Sequence, residues 1–133
     1  MANAMPCVLI VEDDADVCGF MNFLLTVNGY ETMCAGNGQQ ALEQMRIRRP
    51  CIVLLDIHMP VMDGWEFRKR QLHDPEYATV PVVAVTAHFD AGEVEHKLGV
   101  KCIRKPIHID EVITEVRVAC GTSNTREYFP QAP

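Results

Sequence analysis

Acidic side chains follow two separate apolar runs in this chain. Glu12-Asp13-Asp14 comes directly after Cys7-Val-Leu-Ile-Val11, and Asp56 directly after Cys51-Ile-Val-Leu-Leu55. A hydroxyl, Thr86, closes a third run, Val82-Val-Ala-Val85, and Lys105-Pro106 follows the short segment Lys101 to Arg104. Carboxylates brought together from neighbouring segments repel one another unless a cation neutralises them, and hard oxygen donors with room for water suit Mg2+. Lys105 and Thr86 add a charge and a hydroxyl for an anion held beside such a metal, as a phosphoryl group requires. Asp56 is then the candidate nucleophile, because a carboxylate can take a phosphoryl group as an acyl phosphate. Singly, each residue has a plainer reading: the three acids as charges at a helix start, Asp56 as a turn residue, Thr86 as a strand-end hydroxyl and Lys105 as a solvated lysine. Their joint occurrence at four segment ends favours the chemical reading.

The elements that must position these residues alternate between two periodicities. The runs before Glu12, Asp56 and Thr86 are short, continuous and rich in β-branched residues, as in strands buried on both faces. From Asp14 to Asn28, Val17, Phe20, Met21, Leu24 and Val27 recur at helical spacing and predict one inward face, with acids near the start and Asn28-Gly29 as the stop. Tyr30 to Cys34 fits a second strand, Gln39 to Arg48 a helix, Gly64 to Leu72 another, and Ala91 to Leu98 a short fourth. Lys101 to Arg104 fits a last strand and Asp110 to Cys120 a last helix, with Val112, Ile113 and Val116 inward. Five strands alternating with five helices imply right-handed crossovers and a parallel sheet covered on both sides, with ligands beyond the carboxyl ends of the strands.

At 133 residues there is room for one domain, long enough to bury a core without metal or disulfide staples. The net charge of -6 arises in the first third: residues 1 to 45 hold six acids and no Lys or Arg. Residues 46 to 117 hold eleven charges of each sign. No basic stripe exists, which argues against direct nucleic-acid binding. No apolar run is long enough for a signal peptide or a membrane span, so a cytoplasmic protein is expected. The six cysteines are scattered, without C-x-x-C spacing, and read as small buried hydrophobes rather than disulfides or zinc ligands.

Four segments carry a resemblance to the receiver domains of two-component response regulators: Val8-Leu-Ile-Val-Glu-Asp-Asp14, Asp56-Ile-His-Met-Pro-Val-Met-Asp-Gly64, Val82-Val-Ala-Val-Thr-Ala87 and Arg104-Lys-Pro106. The resemblance spans residues 6 to 120, leaving 121 to 133 as a tail too short for an output domain. Either a single-domain receiver or a receiver cut from a longer regulator or hybrid kinase is expected. The fold implied is the flavodoxin-like (βα)5 three-layer sandwich, a parallel five-stranded sheet of order 2-1-3-4-5. By resemblance Asp56 is the phosphoacceptor, Asp13 a direct Mg2+ ligand, Glu12 a support through water, and the backbone carbonyl of His58 the remaining protein ligand. Thr86 and Lys105 would bind the phosphoryl oxygens, a cis Lys105-Pro106 bond would turn the lysine inward, and Gly64 would give backbone freedom where a loop enters the third helix. The implied donor is a phosphohistidine on a sensor histidine kinase or a histidine phosphotransfer protein. The implied output is a two-state rearrangement around Thr86 that changes binding of a downstream protein, without turnover of a substrate.

Two departures from that family pattern fall on the expected output face. Cys102 stands where the family usually carries Tyr or Phe, and only nineteen positions separate Thr86 from Lys105, so the fourth helix or its flanks must be trimmed. Normal phosphorylation with signalling through an altered face is the expectation. His58 and His88, two residues after Asp56 and Thr86, could affect phosphoryl lifetime, whereas His73, His96 and His108 read as surface residues. Trp65 reads as packing. Two competing classes are a small aspartate-nucleophile phosphatase, which usually has an acid where His58 stands, and a pseudo-receiver, against which the intact Asp13, Asp56, Thr86 and Lys105 set argues.

Overall fold

The computed structural model describes residues 6–87 and 91–121. Its elements run in strict alternation: β1 (Cys7–Val11), α1 (Ala15–Val27), β2 (Glu31–Ala35), α2 (Gly38–Ile47), β3 (Ile52–Leu55), α3 (Gly64–His73), β4 (Val82–Thr86), α4 (Ala91–Leu98), β5 (Lys101–Arg104) and α5 (Ile109–Cys120). The five strands are parallel in the order β2-β1-β3-β4-β5, the flavodoxin-like arrangement expected. At eight residues α4 is the shortest helix, consistent with the short spacing between Thr86 and Lys105.

Strands β1, β3 and β4 are buried along their whole length, which explains their unbroken apolar sequence. Alternate residues of one strand serve opposite layers. Val8, Ile10, Ile52, Leu54, Val83 and Val85 pack with Met21 and Leu25 of α1 and Val112, Ile113 and Val116 of α5. Leu9, Val11, Val53 and Leu55 pack on the other face with Ala41, Met45 and Phe67 from α2 and α3. Helix starts follow side-chain chemistry. Asp14, Asn37 and Asp63 each accept backbone N–H groups at the first turns of α1, α2 and α3.

The inward face expected of α1 holds for Met21 and Leu24 but not for Phe20, which is 45% exposed. Phe20 instead lines a cleft with Val17, Lys105, Pro106 and Ile107, because α1 rolls Leu25 into the core beside Met21. The cysteine expectation also fails. Cys51 and Cys120 form a disulfide, their Cα atoms 5.2 Å apart, where the start of β3 meets the last turn of α5. A sequence separation of 69 hides that neighbourhood, since only the packing of α5 across the sheet creates it. Cys7 is buried, Cys18 and Cys102 are half-buried, and Cys34 is exposed.

Gly64 also has a different reason from the one expected. Its φ is not positive; the constraint is close approach, because a Cβ there would lie 2.6 Å from the Asp56 carbonyl oxygen and 2.8 Å from Ile57 Cα. Gly19 in α1 is the contrast, with nothing within 4 Å of its added Cβ. Gly64→Ala is therefore expected to lower unfolding free energy by about 2–3 kcal/mol, since backbone cannot yield cheaply. Gly19→Ala should raise it by about 0.5–1 kcal/mol through helix propensity. Urea denaturation of the two variants checks both signs.

Candidate functional site

The hydrogen-bond ladder continues one step beyond the strand ends and sets the polar residues in a row. Glu12 N–H donates to the Ala35 carbonyl at 2.9 Å, Asp56 N–H to the Val11 carbonyl at 2.9 Å, and Lys105 N–H to the Thr86 carbonyl at 2.9 Å. Each residue is thus fixed by main chain to the neighbouring strand. The Lys105-Pro106 peptide is cis, as expected.

Glu12 and Asp56 are 5% and 6% exposed, while Asp13 is exposed at the rim. One carboxylate oxygen from each of Glu12, Asp13 and Asp56 lies within 4.8 Å of the others. This is a donor set of hard oxygens open on one side, which fits Mg2+ with part of its water shell retained. Lys105 Nζ lies 2.5 Å from Glu12 Oε1 and 3.5 Å from Asp56 Oδ2. The direct Lys105–Glu12 pair is the feature that sequence reading missed, because no spacing rule joins residues 93 positions apart. Asp56 Oδ1 accepts the Ile57 N–H at 2.8 Å, which leaves Oδ2 facing the lysine. Glu12 Oε2 accepts the Asp14 N–H at 3.1 Å.

Thr86 is fully buried at the end of β4, and His58 is exposed two residues beyond Asp56. His73, His96 and His108 are exposed, and His88 lies outside the described residues. Trp65 packs beside Ile57, Ala84, Val94 and Leu98, with Lys97 Nζ 5.9 Å from its ring centroid. The loop after Asp56 turns sharply at Val61, whose φ is 68°, with the Met62 N–H donating to the Pro60 carbonyl at 2.7 Å. This is a γ-turn with a β-branched residue at positive φ, a costly conformation held at a site 86% exposed.

Burial pushes the Glu12 carboxyl upward, and the Asp56 charge adds to the effect, while the Lys105 bond and the Asp14 N–H pull it back in part. Burial pulls the Lys105 ammonium down, but the bond to Glu12 and the charges of Asp56 and Glu12 outweigh it, so its net shift is upward. The acids thus favour the charged ammonium of Lys105, while the bond from Lys105 offsets only part of the burial that disfavours the Glu12 carboxylate.

The family model described as "Response regulator receiver domain" matches residues 8–117. The polar-differentiation response regulator DivK of Brucella anthropi is 35% identical over 117 residues, which cover 86% of this chain and 95% of that protein. A solved receiver domain of a signal transduction histidine kinase from Syntrophus aciditrophicus superposes with a TM-score of 0.80 at 26% identity, over 96% of this chain and 98% of its own. The receiver domain of a Pseudomonas aeruginosa sensor histidine kinase, with a magnesium ion coordinated in its active-site cleft, has a TM-score of 0.80 at 24% identity and shares the fold over 90% of this chain and all of its own.

Lys105→Met tests the electrostatic arrangement without any ligand. Because folding raises the Glu12 pKa, the folded protein holds that proton more tightly than the unfolded chain, and this group costs stability as pH rises from the usual carboxylate value through the raised one. Removing Lys105 enlarges that cost. The variant should therefore be less stable than wild type by about 1–3 kcal/mol near neutrality, with the deficit shrinking as pH falls through the Glu12 titration. Urea midpoints measured across that range give the sign directly.

Proposed function

Since this chain belongs to the response regulator receiver domain family, we propose that it accepts a phosphoryl group from a phosphohistidine donor onto Asp56, in a Mg2+-dependent reaction, and thereby switches binding of a downstream protein. The observation that carries this reading is the buried Asp56 carboxylate flanked by Glu12, Asp13 and the Lys105 ammonium. Asp56 Oδ2 attacks phosphorus in line with the donor nitrogen, the P–N bond breaks, and an acyl phosphate forms. Asp56 Oδ1, already engaged by the Ile57 N–H, keeps the carboxylate in one orientation for that attack. Lys105, poised between Glu12 and Asp56, turns its charge to a phosphoryl oxygen, and the Thr86 hydroxyl donates to another.

Glu12, Asp13, Asp56 and the His58 carbonyl are the residues that would hold the metal. When bound, Mg2+ offsets the clustered negative charge of the acids and of the transferring group. The receiver unit is taken as residues 6–120, acting in the cytoplasm, the compartment of its donor, a sensor histidine kinase or a histidine phosphotransfer protein. It modifies itself and returns by loss of the phosphoryl group, so it is not a turnover enzyme. An altered output face is supported by Cys102, half-buried in an open cleft of about 470 Å³ with Glu95, Arg104, His108 and Glu111 around it.

Incubation with acetyl phosphate and Mg2+, followed by intact-mass spectrometry, should add one phosphoryl group. The addition should vanish in Asp56→Asn and on metal chelation, and Asp13→Asn should raise the Mg2+ requirement at least about tenfold. A phosphoryl group retained in Asp56→Asn, or none taken up by wild type from either acetyl phosphate or a phosphorylated histidine donor, would overturn the reading.

A further inference from the structure

Helix α1 and the edge strand β2 meet through two rungs. Asn22 Oδ1 accepts the Thr32 hydroxyl, and one helical turn earlier Cys18 faces Cys34, their sulfurs 2.6 Å apart. Because α1 runs back along β2, residues 18 and 22 on one helix face necessarily oppose 34 and 32, alternate positions on one strand face. The sulfur separation is nearer to the bond length of about 2.05 Å than a contact between independent thiols requires. The chain already holds one disulfide elsewhere, Cys51–Cys120, so oxidised sulfur belongs to its chemistry.

We propose that Cys18 and Cys34 form a redox-active dithiol, a modification site that closes to an intramolecular disulfide when the oxidant is a low-molecular-weight disulfide. Cys34 is exposed on the edge strand and meets the oxidant first. Its thiolate attacks one sulfur of the external disulfide, forming a mixed disulfide and releasing one thiolate. Cys18 then gives up its proton, attacks the Cys34 sulfur and expels the second half of the oxidant. In sum, a dithiol and one small disulfide become a protein disulfide and two small thiols, so two electrons pass to the oxidant and the two protons leave with its halves. Burial first, then Cys34 and Glu12, push the Cys18 thiol up to about 12, which disfavours it at first encounter, so its later attack depends on the closeness of the Cys34 sulfur.

The position gives the modification a route to the acid cluster. Ala35, next to Cys34, accepts the Glu12 N–H, and Cys18 N–H donates to the carbonyl of Asp14. A bond between the two sulfurs therefore joins two backbone segments that both hold the acidic loop.

Oxidised glutathione is the probe, applied to the full chain and followed by alkylation of remaining thiols. Glutamyl endopeptidase, cutting after Glu12, Glu31 and Glu43, separates Cys7, Cys18 and Cys34 into residues 1–12, 13–31 and 32–43. Wild type should yield 13–31 linked to 32–43 under non-reducing conditions, and the link should vanish on reduction. Cys18→Ser should stop at the glutathione adduct on Cys34, and Cys34→Ser should leave Cys18 unmodified. A wild-type chain in which Cys34 keeps glutathione beside a free Cys18, links to Cys7 or Cys102 instead, or does not react would overturn the proposal.

Discussion

Three carboxylates from two strands cannot share one end of a sheet without a cation, and that constraint organises the molecule. In this structure the cation is Lys105, 2.5 Å from Glu12 and 3.5 Å from Asp56. Glu12 and Asp56 are buried, so their repulsion is screened poorly and the lysine matters more than a surface partner would. The exposed ion pairs, such as Arg70 with Glu66 and Lys97 with Glu93 within single helices, contribute far less. A lysine suits the position because its ammonium is a mobile point charge on a flexible stem, able to face Glu12 or an incoming anion without a fixed fork of donors.

Main-chain bonds and close packing fix the frame around this charge cluster. The backbone bonds from Glu12, Asp56 and Lys105 to neighbouring strands set the spacing of the charges. The close approach of Gly64 to the Asp56 carbonyl brings the start of α3 against the same loop, with the Gly64 N–H donating to the Ile57 carbonyl at 2.8 Å. Asp63 caps α3 through the Glu66 N–H, so the loop between Asp56 and Gly64 is fixed at both ends. The strained turn at Val61 lies within that span and persists because both ends are over-determined.

Much of this was legible in the sequence, for a physical reason: strands buried on both faces read as continuous apolar runs, and the polar residue ending each run marks the sheet edge. That aligned Glu12, Asp56 and Thr86, whereas Lys105 follows the short mixed strand Lys101–Arg104, whose place came from the alternation of strands and helices. What stayed hidden was contact between residues distant in sequence. The Lys105–Glu12 pair, the Cys51–Cys120 disulfide and the Cys18–Cys34 approach all depend on how helices roll and which strands are neighbours. Phe20 shows the limit of periodicity, which places a residue on a helix face to within about one position of spacing but does not set the roll angle. Leu25 took the buried place and Phe20 an exposed one.

Beneath α4 the strands present small side chains, and α3 supplies one large ring. Cys102 pairs in register with Ala84, so two small side chains occupy adjacent strands beneath α4. The aromatic bulk of that layer comes from Trp65 on α3, packed with Ile57, Val94 and Leu98 and covered by the Lys97 ammonium. Arg68 reinforces the same junction, its Nε donating to the Leu98 carbonyl at 3.1 Å at the end of α4. Thr86 is tied to β5 by its carbonyl, which accepts the Lys105 N–H, and Cys102 of that strand lines an open cleft. The charge cluster is therefore joined to the α4 side of the molecule by two separate links, the Thr86–Lys105 main-chain bond and the packing of Ile57, next to Asp56, with Trp65, Val94 and Leu98.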